Sequence, residues 1–201
     1  ALQPYQPGKP IEELERDLGL SEIVKLASNE NPRTSHDVIT KAIAQQESGA
    51  SRYPDGSGYT LKSRLSEMLE VTTDQLTLGN GSNDILELLV RAFVRPGQGV
   101  VVSEHSFAVY SLAALAVGAD LKTAPAKSWG HDLDAMLSLV DSNTRIVFIA
   151  NPNNPTGTWV ETGALLSFLD NIPPTTIVVI DEAYYEYCED ADFPNAIDLL
   201  E

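Results

Sequence analysis

The sequence predicts an α/β fold: a mostly parallel sheet with helices on both faces, preceded by an N-terminal arm. Three observations carry that expectation. From Gln75 onward the pattern is strand, loop, helix, repeated, which argues for a parallel sheet covered on both sides. The apolar runs are of strand length and end abruptly in polar residues, as buried parallel strands do. No internal repeat or low-complexity tract interrupts them.

In order along the chain, residues 1–30 read as an arm and residues 31–201 as one large domain. Pro4, Pro7, Gly8 and Pro10 break the start, and Ile11-Glu-Glu-Leu-Glu-Arg-Asp-Leu18 forms a short amphipathic helix stopped by Gly19. Ser35 caps a helix through Gln46, and Gly49 to Gly58 is turn-rich. Leu61, Leu65, Met68 and Leu69 give the next helix an apolar stripe. Strands are expected at Gln75 to Leu78, Gly99 to Ser103, Asp120 to Thr123, Arg145 to Ala150 and Thr176 to Ile180. Helices fall between them, at Asn83 to Val94, Phe107 to Val117, Asp132 to Val140 and Glu161 to Leu169.

Composition bounds the function. With 201 residues, 43% of them hydrophobic, the chain is long enough to bury a core, at roughly 70% of its unfolded surface. The net charge of −16, from 29 acidic against 13 basic residues, argues against nucleic acid and anionic membrane as partners. Most of these acids read as a solvated surface. The single Cys188 rules out an internal disulfide and fits a reducing compartment. No apolar run approaches a membrane span and no secretory signal opens the chain, so a cytoplasmic protein is expected. No metal site is expected.

Two segments carry the chemistry. Ile146-Val-Phe-Ile-Ala-Asn-Pro-Asn-Asn-Pro-Thr-Gly157 is followed about one βα unit later by Thr176-Ile-Val-Val-Ile-Asp-Glu-Ala-Tyr184. Two parallel strands would deliver Asn154, Asp181 and Tyr184 to one sheet edge, where open α/β sheets bind ligands. A carboxylate there leaves water at a cost of several kcal/mol unless a cation pairs with it, and a protonated pyridine nitrogen is such a cation. The Asn154 amide and the Tyr184 hydroxyl can both donate to a phenolate oxygen. Pyridoxal phosphate carries both features on one ring. The plainer reading makes Asn153, Asn154 and Gly157 turn formers, Pro155 a cis proline and Asp181 a helix cap.

Gly79-Asn-Gly-Ser-Asn-Asp84 lies between a strand and a helix. A glycine turn into a helix N-terminus suits a phosphate monoester. It is neither Gly-x-Gly-x-x-Gly nor a P-loop, and standing alone it reads as an ordinary helix start capped by Asn83 or Ser82. Phe107 alone reads as a core residue, and Tyr53 in Arg52-Tyr-Pro-Asp55 as an extended turn residue.

Taken together and in order, these segments resemble the fold-type I pyridoxal-phosphate enzymes of the aspartate-aminotransferase superfamily, and within it the histidinol-phosphate aminotransferases. Leu26-Ala-Ser-Asn-Glu-Asn-Pro32 and Ser106-Phe-Ala-Val-Tyr110 extend the match over nearly the whole chain. The resemblance implies that Asp181, Tyr184 and Asn154 tune the cofactor ring, that Gly81, Ser82 and Asn83 cradle its phosphate, and that Phe107 stacks on it. It implies a homodimer in which Tyr53 reaches the neighbour's cofactor phosphate, and substrate contacts from Tyr5, Glu30 and Asn31. Arg33-Thr-Ser departs from the family's usual Leu-Gly-Pro, and His105-Ser-Phe from its Pro-Thr-Tyr.

The implied reaction exchanges an amino group between L-histidinol phosphate with 2-oxoglutarate and imidazole-acetol phosphate with glutamate, in histidine biosynthesis. An aromatic aminotransferase or a threonine-phosphate decarboxylase on the same scaffold is the alternative. A noncatalytic dimer-forming remnant is another. A transaminase needs a lysine that binds the cofactor covalently and shuttles a proton. None of Lys9, Lys25, Lys41, Lys62, Lys122 or Lys127 stands at the family's place for it. That lysine, the substrate-binding arginines and a small domain are expected beyond Glu201, so the chain is expected to be part of a longer enzyme and inactive by itself.

Overall fold

A computed structural model describes residues 8–31, 33 and 37–200. Tyr5 and Ser35 lie outside the described residues. The chain divides into two compact units between Leu61 and Lys62.

In the N-terminal unit, α1 (Ile11–Leu18) ends where Gly19 takes a left-handed φ of 65° and donates its N–H to the Glu15 carbonyl. A side chain there would cost backbone energy, which is why glycine ends the helix. Next comes α2 (Asp37–Gln46). Neither helix buries a residue. The following helix, α3 (Tyr59–Leu69), carries the expected stripe, but Leu61 and Met68 on it remain exposed.

The larger unit continues with α4 (Gly81–Phe93), β1 (Gly99–Ser103), α5 (Ala108–Ala116), β2 (Asp120–Ala124), α6 (Leu133–Ser138), β3 (Thr144–Ala150), α7 (Thr162–Asp170) and β4 (Ile177–Asp181). The four strands form a parallel sheet in the order β2-β1-β3-β4. Period-two alternation sorts its side chains. Val100, Val102, Ile146, Phe148 and Ala150 pack with α4 and α5 on one face. Val101, Val147 and Ile149 pack with Met136 of α6 and Leu165 and Phe168 of α7 on the other. Val100 to Val102 and Ile146 to Ala150 of the two central strands are therefore continuously apolar, because each of their faces meets a helix layer.

Two expectations fail. Among the described residues Gln75 to Leu78 forms no strand: Thr72 and Gln75 close a capping box around the short 3₁₀ turn Thr73–Gln75, and Leu76 to Leu78 pairs with no described strand. An extended segment without a neighbour to bond is not a sheet element. The cap of α4 is also Asn80 rather than Asn83 or Ser82, and its side chain makes no capping bond. The Asp84 carboxylate takes that part instead, accepting from the Asn80 backbone N–H at 2.9 Å and its side-chain amide at 2.8 Å.

The order of strands places a switch point. From β1 the chain crosses to β2 on one side, then returns past β1 to β3 on the other. β1 and β3 pair only as far as Val101 and Val147, so their C-terminal ends are free to part. That crevice is where ligands bind in such sheets.

Candidate functional site

A pocket opens at this end of the sheet. Ser82, Phe107, Asn154, Asp181 and Tyr184 line it together with Tyr110 and Pro152. Five predicted residues thus converge from the first turn of α4, the start of α5, and the loops after β3 and β4. Gly81 and Asn83 flank Ser82 in that first turn of α4. Gly81 has a φ of 70°, and a Cβ built on it would meet nothing within 4 Å. The glycine is there for its backbone, which turns the chain so that first-turn N–H groups, lacking intrahelical carbonyls, face outward.

The loop after β3 is built by amides. Asn151 is fully buried, accepts from the Val160 N–H at 2.7 Å and donates its side-chain amide to the Val160 carbonyl at 3.3 Å. Its own N–H donates to the Asp181 carbonyl at 2.9 Å, which ties the loop to the end of β4. Asn153 donates to the His105 carbonyl at 2.9 Å and to Thr156 Oγ1 at 2.7 Å. Pro152 and Pro155 both follow cis peptide bonds, and Gly157 has a φ of 72°. Asn153 and Gly157 are turn formers, as the plainer reading had it, whereas Asn154 faces the pocket.

Asp181 ends β4 half-buried. Its Oδ1 accepts from the Ala183 N–H at 3.1 Å, and its Oδ2 accepts from the Tyr110 hydroxyl at 2.7 Å. Tyr110 is fully buried and its ring stacks on Phe148 at 4.7 Å with 3° between planes. Burial, and then the charge of Asp181, push the Tyr110 phenol well above its ordinary range, so it stays a proton donor. In the sequence Tyr110 closes the Ser106-Phe-Ala-Val-Tyr110 segment with nothing local to mark a role for it beyond its place three residues after Phe107, on the same helix face.

His131 supports the site from behind. Its Nε2 lies 2.9 Å from the Ala150 carbonyl oxygen and 3.2 Å from the Ala150 nitrogen, at the end of β3. Desolvation pushes its pKa down, against the bond to the Ala150 carbonyl, and so favours the neutral ring. Glu182, next to Asp181, is shifted up by burial, with the Ala196 N–H opposing and nearby Asp198, Glu186 and Asp181 adding repulsion.

Glu30, Asn31 and Tyr53 belong to the N-terminal unit. The Lys25 ammonium donates to Glu30, Asn31 Oδ1 accepts from the Arg33 N–H at 3.0 Å, and Tyr53 is fully exposed.

The donor set suits the pyridine ring of pyridoxal phosphate: a carboxylate fixed by two donors yet with lone pairs to spare, an amide and a phenol nearby, and an aromatic ring. No lysine is among the side chains that line the pocket.

Comparison with known proteins agrees with this chemistry. The profile of aminotransferases of class I and II matches residues 21–201. A protein named histidinol-phosphate aminotransferase 2 from Pseudomonas fluorescens (strain Pf0-1) is 56% identical over 201 residues, covering 99% of this chain and 54% of its own length. Among solved structures, histidinol-phosphate aminotransferase from Sinorhizobium meliloti in complex with pyridoxal-5'-phosphate superposes with a TM-score of 0.85 at 28% identity, over 94% of this chain and 51% of that one. Aspartate aminotransferase from Thermotoga maritima shares the fold with a TM-score of 0.77 at 20% identity, over 94% of this chain and 53% of that one. The chain spans about half the length of the curated relatives it matches. Among the described residues no helix is long and apolar enough to cross a membrane.

Proposed function

The chain belongs to the class I and II aminotransferase family, and from that premise we propose that the protein is a pyridoxal-phosphate-dependent transaminase. Its reaction exchanges an amino group between L-histidinol phosphate with 2-oxoglutarate and imidazole-acetol phosphate with L-glutamate. The observation that carries this is the meeting of Asp181, Asn154, Tyr184, Phe107 and Ser82 around one pocket at the sheet's switch point. The substrate assignment rests on the names of relatives such as that of Pseudomonas fluorescens.

When bound, the cofactor supplies a conjugated, protonatable ring that takes up the electron pair released at the substrate Cα. Asp181, its carboxylate held by two hydrogen bonds, would keep a proton at the ring nitrogen. Asn154 and Tyr184 donate to the ring's phenolate oxygen, favouring its charged form. Phe107 covers a ring face, worth ~0.5 to 1.5 kcal/mol beyond burial. The first turn of α4, Gly81, Ser82 and Asn83, binds the phosphate through backbone N–H groups and the helix dipole. Tyr5, Glu30 and Asn31 close over the substrate, and Tyr53 reaches the phosphate bound by a second copy in a cytoplasmic homodimer. Residues 1–201 thus supply the ring's anchors, while the covalent lysine has no counterpart in the pocket.

Titration of the full-length protein with pyridoxal phosphate tests this. The expected result is a visible absorption band and transamination of 2-oxoglutarate with L-histidinol phosphate. A protein that binds no cofactor, or that binds it and ignores this substrate pair, would overturn the corresponding part of the reading.

A further inference from the structure

Resting on the cofactor reading above, we infer that Tyr110 is a positioning residue that locks the Asp181 carboxylate in the orientation a pyridine ring needs and ties it to the Phe107 ring. One side chain touches both groups. Its hydroxyl donates to Asp181 Oδ2 at 2.7 Å, and its ring meets Phe107 edge-on at 5.9 Å and 86°. It lies flat against Phe148 in the core, so the ring cannot swing.

Packing alone would be served as well by phenylalanine, and a buried hydroxyl is unfavourable unless it is bonded. The hydroxyl is therefore explained by its bond to Asp181. That bond joins α5 to β4 across 71 residues of sequence. The carboxylate is gripped at both oxygens, by Tyr110 at Oδ2 and by the Ala183 N–H at Oδ1, which fixes its plane. A carboxylate has about four lone-pair sites, so each oxygen can still accept from a ring N–H. Because burial and the neighbouring charge keep the phenol protonated, the direction of the bond is also fixed. Without the hydroxyl, only the Ala183 N–H holds the side chain of Asp181, and its remaining freedom must be lost when the cofactor binds.

The test uses the full-length protein and two replacements at this position. Tyr110→Phe keeps the ring and its stacking and removes the donor. Substituting 3-fluorotyrosine for Tyr110 keeps the shape and makes the phenol a stronger donor. The readouts are the dissociation constant of pyridoxal phosphate and the NMR resonance of its ¹⁵N-labelled ring nitrogen. Tyr110→Phe should weaken binding by about two- to ten-fold, the cost of ordering one freed side chain. It should also move the nitrogen resonance toward the unprotonated value, since a carboxylate with one donor fewer competes harder for the proton. The fluorinated ring should move it the other way. Opposite displacements are not expected of a residue that only fills space. If the wild-type protein binds the cofactor and both variants leave affinity and resonance unchanged, or displace the resonance in the same direction, the inference is overturned while the cofactor reading stands. If the wild-type protein binds no cofactor, both fall.

Discussion

Asp181, Asn154 and Tyr184 were legible as candidates because chemistry-bearing side chains stand at the ends of apolar runs, whereas Phe107, which alone reads as a core residue, was picked out only by the family resemblance. Tyr110 was not. In sequence it is an aromatic at helical spacing, the mark of a core residue, and its partner is 71 positions away. The two prolines' neighbours also divided only in three dimensions, Asn151 and Asn153 holding the loop while Asn154 faces the pocket. Asn151→Ala should therefore destabilise the protein without acting on the cofactor directly. Loss of a buried amide that bonds Val160 twice leaves backbone groups unpaired, a cost of about 2 to 3 kcal/mol, read as a lower midpoint in urea unfolding; a midpoint within error of wild type would contradict this account of the loop. Asp181→Asn should behave oppositely, lowering turnover of the full-length enzyme by orders of magnitude while its unfolding midpoint moves little, because the amide oxygen still accepts from the Tyr110 hydroxyl. Near-wild-type turnover would remove Asp181 from its role.

Elements were read to within a residue or two where both faces of a strand are buried. β1 stands where expected, β2 and β3 differ by a single residue at one end, and β4 by one residue at each end. The failure at Gln75 to Leu78 marks the limit of local pattern: an alternating segment looks like a strand, but whether a partner lies beside it is a property of the sheet. The start of α4 was misjudged because Gly81 enters it with a φ of 70°, and Asp84 reaches back to Asn80 in the place of a conventional cap. Gly81→Ala should then cost about 1 to 2 kcal/mol from the left-handed backbone alone, visible in thermal unfolding, since no neighbour obstructs the methyl group. The contact of His131 with the end of β3 gives an element-level pH dependence. Its folded pKa is pushed below 6.5, so the unfolded chain takes up a proton that the folded ring refuses. Its share of stability is whole above about pH 6.5 and is lost as pH falls from there. Glu182, raised above 4.5, acts with the opposite sign, favouring the folded state at low pH and less so as pH rises. Comparison with His131→Gln cancels that contribution: the wild-type midpoint should drop more steeply between pH 6.5 and 5 than the variant's, whereas parallel curves would show that His131 does not titrate on unfolding.

At the scale of the whole molecule, the two units differ in what they bury. The larger one has a core on each face of its sheet. The N-terminal one leaves Val24, Leu26, Val38, Ile43 and Tyr53 exposed, Leu26 at 92% and Tyr53 at 100%. Covering such side chains with a second copy would be favourable, in keeping with the homodimer proposed above. If Tyr53 serves the site of a second copy, its loss and the loss of Asp181 damage different halves of one shared site. Each homodimer, Tyr53→Phe or Asp181→Ala, then has two defective sites. A mixed dimer has one site defective in both residues and one intact, because the Asp181 of the first chain meets the Tyr53 of the second. Dissociating and re-forming equal amounts of the two full-length variants should therefore restore about one quarter of wild-type activity, since a binomial mixture is half heterodimer and each heterodimer has one good site of two. Heterodimers verified by differential tags that show no more activity than the parents would place Tyr53 outside a shared site.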